Sequence, residues 1–250
     1  MNLSRALLTL GICVIGFCSL VSKTARAADI IYIGDSHSTG GFGEVVDAGL
    51  RKIKLASGQA AKVVSLAACG SATSDWLKSR GPVSRCGVRA CDASGECKLS
   101  RDGRVDPIMV LLGKEEPKVV VVALGTNMLK ARVGDAINDA KAMIEKIKDK
   151  GAECVWVGPP QAALSYMPET RFKDFVEKFS LGIEEAGCRY VSSLDKTDRG
   201  NINDSMGLHY SKKDAERWGE KVAKELGPLV DAALTAVRPQ APATSEAPVR

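Results

Sequence analysis

Apolar and polar positions follow two rhythms along this chain, and they take turns. Short, nearly continuous apolar runs occur at 29–34 ("DIIYIG"), 61–67 ("AKVVSLA"), 118–125 ("KVVVVALG"), 153–158 ("ECVWVG") and 188–193 ("CRYVSS"). Runs of this length, rich in Val and Ile and apolar on both faces, suit strands covered on both sides. Between them the spacing turns helical. Phe42, Val45, Val46, Leu50 and Ile53 share one helical face, as do Ile137, Ala140, Ile144 and Ile147. Phe172, Phe175, Val176, Phe179 and Ile183 repeat the pattern, and so do Trp218, Val222 and Leu226. Strand and helix in alternation predict a three-layer α/β/α domain around a five-stranded parallel sheet. One segment, 78–106 ("KSRGPVSRCGVRACDASGECKLSRDGRVD"), has neither rhythm and holds three cysteines. It reads as a Cys-rich inserted loop after the second strand. It leaves from the edge where open α/β sheets bind their ligands, so it either walls a site or is a stapled surface loop.

The two ends of the chain fall outside this pattern. Residues 1–27 carry Arg5, an apolar stretch from Ala6 to Val21, and Ala25-Arg26-Ala27. A basic start, a short apolar middle and a small-residue end predict a signal peptide cleaved near Ala27. The apolar stretch falls short of the roughly 20 residues of a spanning helix, so no stable membrane anchor is expected. Residues 238–250 ("RPQAPATSEAPVR") are rich in Pro, Ala and small polar residues and predict a disordered tail. The region 28–237 between them suits one domain. Loss of residues 1–27 removes Arg5, Lys23 and Arg26 and no acid, which lowers the formal net charge from +5 to +2. A near-neutral domain offers no electrostatic case for nucleic acid.

Export makes the cysteines informative. Six lie beyond residue 27: Cys69, Cys86, Cys91, Cys97, Cys154 and Cys188. An even number in an exported chain predicts disulfides rather than free thiols. Cys154 and Cys188 open strands expected to be neighbours, so they are the first expected pair. Cys69 then pairs into the insertion, with Cys86, and Cys91–Cys97 closes locally. No metal is expected, because Cys86, Cys91 and Cys97 lack a paired C-x2-C and a nearby His. No cofactor is expected either: Gly40, Gly41 and Gly43 fit neither a dinucleotide fingerprint nor a P-loop.

The candidate chemistry sits where the apolar runs give out. The first ends in "GDSHS", with Asp35, Ser36 and His37; the second in "AACGSAT", with Gly70; the third in "LGTN", with Asn127. "NDSMGLHYS" follows the fifth and carries His209. Ser, Gly, Asn and His thus meet at one rim. A serine hydroxyl needs a base to become a nucleophile. The chain has two histidines. His37 adjoins Ser36, and neighbouring side chains there point apart, which leaves His209 as the base.

In these four motifs, in this order, the sequence resembles the SGNH, or GDSL-type, hydrolases from Ile30 to about Leu226. The resemblance implies their flavodoxin-like fold and an ester-cleaving activity. It also implies an oxyanion hole formed by the N–H groups of Ser36 and Gly70 and the Asn127 side-chain amide. One motif departs from the family. Family members carry an Asp three residues before the histidine, and Met206 stands there. Asp204, five residues before His209, is the expected orienting carboxylate if the intervening Ser205-Met206-Gly207 bulges. Otherwise a backbone carbonyl holds His209 and the pair is a Ser–His dyad.

The function expected is an exported, periplasmic or secreted, serine esterase that removes acyl groups, chiefly acetyl, from envelope or environmental polysaccharide. Two alternatives stand beside it. One is a lipid-directed esterase or lysophospholipase, which an aromatic content of 5% does not favour. The other is a non-catalytic carbohydrate-binding protein on a hydrolase scaffold.

Overall fold

The computed structural model describes residues 28–236; the expected signal peptide and tail lie outside the described residues. In chain order the elements begin with β1 (Ile30–Gly34), α1 (Ser36–Thr39), α2 (Gly41–Arg51), β2 (Val63–Ala68) and α3 (Thr73–Leu77). Four short strands follow: β3 (Val83–Ser84), β4 (Val88–Cys91), β5 (Cys97–Ser100) and β6 (Gly103–Arg104). The second half runs α4 (Ile108–Glu115), β7 (Val119–Ala123), α5 (Val133–Asp149), β8 (Glu153–Val157), α6 (Glu169–Glu185), β9 (Arg189–Val191) and α7 (Lys212–Thr235).

The main sheet has the order β5-β4-β2-β1-β7-β8-β9. β2, β1, β7, β8 and β9 are parallel and are the five strands that the apolar runs predict. Successive residues of β1 and β7 serve opposite cores. Ile31, Ile33, Val120 and Val122 pack with buried residues of α4, α5 and α6. Ile30, Tyr32, Val119 and Val121 pack with α2 and α7. Burying both faces is what makes these strands apolar without alternation.

The sheet is larger than expected. β4 and β5 extend it antiparallel beyond β2 to seven strands, and β3 pairs with β6 in a separate two-stranded sheet. The segment 78–106 is therefore an ordered hairpin rather than an irregular loop. β4 and β5 have four residues each, and β5 is exposed throughout, so the sequence carries no apolar period there. A polar contact anchors the hairpin besides its backbone pairing. Arg89 of β4 is buried, pairs with Asp47 of α2 at 3.2 Å and donates to Ser65 Oγ at 3.2 Å. A buried guanidinium keeps its charge and must be paired.

Three disulfides join Cys69–Cys86, Cys91–Cys97 and Cys154–Cys188. The last links the start of β8 to the residue preceding β9, with the two Cα atoms 4.8 Å apart. Cys91 and Cys97 close the β4–β5 hairpin, which removes them as metal ligands.

Candidate active site

β1 ends at Gly34, and the chain turns at once into the single-turn helix α1. A Cβ on Gly34 would collide with the Ser38 side chain, so only glycine fits this turn. Asp35 caps α1, its Oδ1 accepting the His37 N–H at 3.1 Å. Ser36 is the first helical residue, where no earlier carbonyl is within reach of its N–H. The next motif follows β2. Gly70 has φ +80°, a left-handed conformation that favours glycine. Its neighbour Ser71 is fixed from both sides: Ser71 Oγ donates to Ala68 O at 2.8 Å and accepts from Trp76 Nε1 at 3.1 Å. The Cys69–Cys86 disulfide lies close by, with Cys86 Sγ 3.9 Å from where a Cβ on Gly70 would stand. Beyond β7, Gly125 turns the chain into a 3₁₀ turn, Thr126–Met128, in which Asn127 donates from Nδ2 to Ser71 O at 3.0 Å. That bond joins the Gly70 and Asn127 motifs directly.

The histidine arrives from the far side of the sheet on the segment before α7. His209 Nε2 lies 3.0 Å from Ser36 Oγ. Its Nδ1 lies 2.6 Å from Asp204 Oδ2. The other Asp204 oxygen accepts the N–H groups of Leu208 at 2.8 Å and His209 at 3.1 Å. Asp204 thus spans the five residues through a bulge at Ser205–Gly207. Gly207 has φ +72°, and a Cβ there would strike the Ala163 carbonyl. The bulge is pinned by Ala163 N–H donating to Gly207 O at 2.8 Å and by Asn203 N–H donating to His209 O at 3.0 Å. Partial burial opposes ionisation of Asp204, but bonds from Leu208 N–H and the His209 ring and N–H outweigh it and hold the carboxyl below its ordinary range. Met206, at the position where the family pattern has its Asp, is 57% exposed.

Sequence reasoning did not find what stands behind this chain of bonds. His37 is buried, its ring centroid 5.2 Å from that of His209 and 5.2 Å from Trp218, which stacks on Phe42 at 3.7 Å. Burial above all, and then the neighbouring His209, push its pKa down to about 3, so it stands neutral. Burial pushes Asp35 up to about 7. The signal was the histidine of "GDSHS" itself; its packing depends on Trp218, far along the chain.

Ser36, His209 and Asp204 therefore stand in line, and Gly70 and Asn127 follow β2 and β7, the two strands that flank β1. Such a line lets imidazole draw the hydroxyl proton while the carboxylate fixes the ring's tautomer.

No family model matches the sequence. Protein BcsX from Komagataeibacter xylinus is 29% identical over 187 residues, 70% of each chain. The fold is that of the SGNH hydrolases. A protein from Slackia heliotrinireducens provisionally named an SGNH hydrolase superposes with a TM-score of 0.55 at 14% identity, over 80% of this chain and 100% of that one. A peptidoglycan O-acetylesterase gives 0.52 at 14% identity, over 81% of this chain and 91% of that one. A family 2 carbohydrate esterase with its carbohydrate-binding domain, from Corynascus thermopiles, gives 0.51 at 15% identity, over 82% and 66%.

Proposed function

We propose that the protein is a carboxylic ester hydrolase working through an acyl-enzyme on Ser36. The observation that carries this reading is the line of hydrogen bonds from Ser36 Oγ through His209 to Asp204, at 3.0 and 2.6 Å. His209 takes the Ser36 proton as Oγ attacks the ester carbonyl. The N–H groups of Ser36 and Gly70 and the Asn127 amide receive the oxyanion. His209 then protonates the leaving alcohol, and water enters by the same route in reverse. Asp204 keeps Nδ1 protonated, so that Nε2 faces Ser36 as the base.

The substrate we propose is an acetylated polysaccharide met outside the cytoplasm. Three disulfides support an oxidising compartment. Among the described residues no helix is long and apolar enough to cross a membrane. Two fold neighbours carry carbohydrate-ester names, which supports the same choice.

The test is turnover of p-nitrophenyl acetate by wild type and by Ser36→Ala. The variant should lose more than about a thousandfold in kcat, as nucleophile removal does in serine hydrolases, with an unchanged melting temperature. Activity within tenfold of wild type would remove Ser36 from the mechanism. Chain-length preference among p-nitrophenyl esters then checks the short-acyl reading.

A further inference from the structure

Next to the line of Ser36, His209 and Asp204 lies a second cavity of about 470 Å³, between the loop after β9 and the first half of α7. It falls in the size range of small-molecule sites, which begins at roughly 300 Å³. Its wall is charged but balanced, with four acidic and four basic side chains. The charges compensate locally. Arg199 pairs with Glu169 at 2.6 Å, and Arg217 with Asp214 at 3.4 Å. Lys196, nearly buried, is held by Asp195 at 3.1 Å and Glu225 at 2.7 Å. Lys221 and Asp198, one charge of each sign, have no ion-pair partner among the described residues, so the wall stays neutral overall.

Hydrogen-bonding capacity nevertheless remains. Lys221 Nζ makes one bond among the described residues, to Lys196 O at 3.2 Å, and Arg217 has the single pairing above. The Asn201 side chain makes none among the described residues and is exposed. Spare donors and acceptors on a neutral wall suit a neutral ligand with many hydroxyl groups. Tyr210 adds one aromatic side chain, held by its hydroxyl on Gln161 O at 2.8 Å.

The position matters as much as the chemistry. Tyr210 follows His209 directly, with Cα atoms about 3.8 Å apart. It pairs with Ile202 in a bridge that closes the loop holding Asp204. One wall of the cavity is thus continuous with the segment that carries His209 and Asp204.

We propose that this cavity is a saccharide subsite that holds an uncharged sugar unit of the polysaccharide whose ester is cleaved at Ser36. The proposal rests on the ester-hydrolase reading for the identity of the polymer, but its binding step does not need catalysis. It makes the protein a reader of the sugar chain as well as of the acyl group.

The experiment is titration calorimetry on the Ser36→Ala protein with underivatised cellohexaose, xylohexaose and chitohexaose, alongside the corresponding monosaccharides. At least one hexaose should bind, more tightly than its monosaccharide. Arg217→Ala and Asn201→Ala, each made in the Ser36→Ala background, should weaken that binding about tenfold without changing the melting temperature. Asn201 is exposed and its side chain makes no bond among the described residues, so its variant stays informative if Arg217→Ala fails to fold. Failure of all three hexaoses to bind, or binding that neither substitution weakens, would overturn the subsite. Wild-type inactivity on p-nitrophenyl acetate would instead remove the esterase reading, and the binding data would still decide the subsite.

Discussion

Two aspartate–histidine pairs flank Ser36, and they have opposite electrostatic fates. Asp204 and His209 are partly exposed and directly bonded, and hydrogen bonds hold Asp204 ionised. Asp35 and His37 are buried, and burial drives each toward its neutral form, Asp35 up to about 7 and His37 down to about 3. The residue types are the same; solvation and hydrogen bonding make the difference. A base needs a carboxylate that stays charged beside it, which takes enough donors to outweigh burial. Both carboxyls accept backbone N–H bonds, Asp35 from His37 and Asp204 from Leu208 and His209, but at the fully buried Asp35 desolvation outweighs them. The Asp35 side supplies packing: a neutral ring against His209, backed by Trp218 and Phe42.

The largest expected effect comes from breaking the competent pair. Asp204→Asn keeps an oxygen to accept the Leu208 and His209 N–H groups. It replaces the oxygen that faces Nδ1 by an N–H₂, which cannot accept. His209 is then driven to the tautomer with its proton on Nε2, facing Ser36 and unable to act as a base. The same change in a serine protease costs about 10⁴ in kcat. Asp204→Asn should lower kcat for p-nitrophenyl acetate at least a hundredfold with little change in KM. A loss under threefold would mean that His209 needs no carboxylate.

The second prediction makes the buried pair visible through stability. Asp35, raised from 3.8 to about 7, keeps a proton in the folded state that the unfolded chain has lost. Its contribution is fully present below pH 4 and declines as pH rises to 7. His37, lowered from 6.5 to about 3, refuses a proton that the unfolded chain takes up. Its contribution is fully present above pH 6.5 and declines as pH falls toward 3. Between pH 4 and 6.5 the two slopes oppose each other, each about 1.4 kcal/mol per pH unit for one proton. Asp35→Asn should therefore gain stability over wild type steadily as pH rises from 4 to 7. His37→Leu should show the reverse trend against wild type, gaining as pH falls from 6.5 toward 4. Urea denaturation across this range reads both. Parallel profiles for wild type and both variants would mean that neither group is perturbed.

The comparison also shows what the sequence made legible. The five central strands could be read because burial on both faces leaves an apolar run, as in "KVVVVALG". Ser36, Gly70, Asn127 and His209 could be read because their motifs follow strands, and parallel topology brings strand ends together. The reach of Asp204 followed from Gly207, whose positive φ permits the bulge. The hairpin of β4 and β5 could not be read. Its anchor is the Arg89–Asp47 pair, a contact between distant polar residues that leaves no periodic trace. α4 is eight residues long, too short for its period to stand out. The packing of His37 depends on α7 returning across α2, a tertiary event.

The smallest expected effect tests whether the Asp204 side is already complete. Met206 occupies the position three residues before His209, where the family pattern places its Asp, and it is exposed. A Ser–His dyad would gain from a carboxylate at this position, and Met206→Asp would raise kcat severalfold. The geometry points the other way. The Nδ1 atom of His209 has one proton to donate, and Asp204 Oδ2 stands 2.6 Å from it. A second carboxylate would find no proton to accept and would bring a like charge toward Asp204, at the cost of some ionisation there. Met206→Asp should leave kcat within threefold of wild type, and a small change should be a decrease. In the Asp204→Asn background the outcome should differ. There Nδ1 lacks an acceptor, and Met206→Asp should recover part of the lost rate if the bulge lets the new carboxylate reach the ring. A rise of more than tenfold in the single variant would mean that Asp204 does not hold His209 in solution.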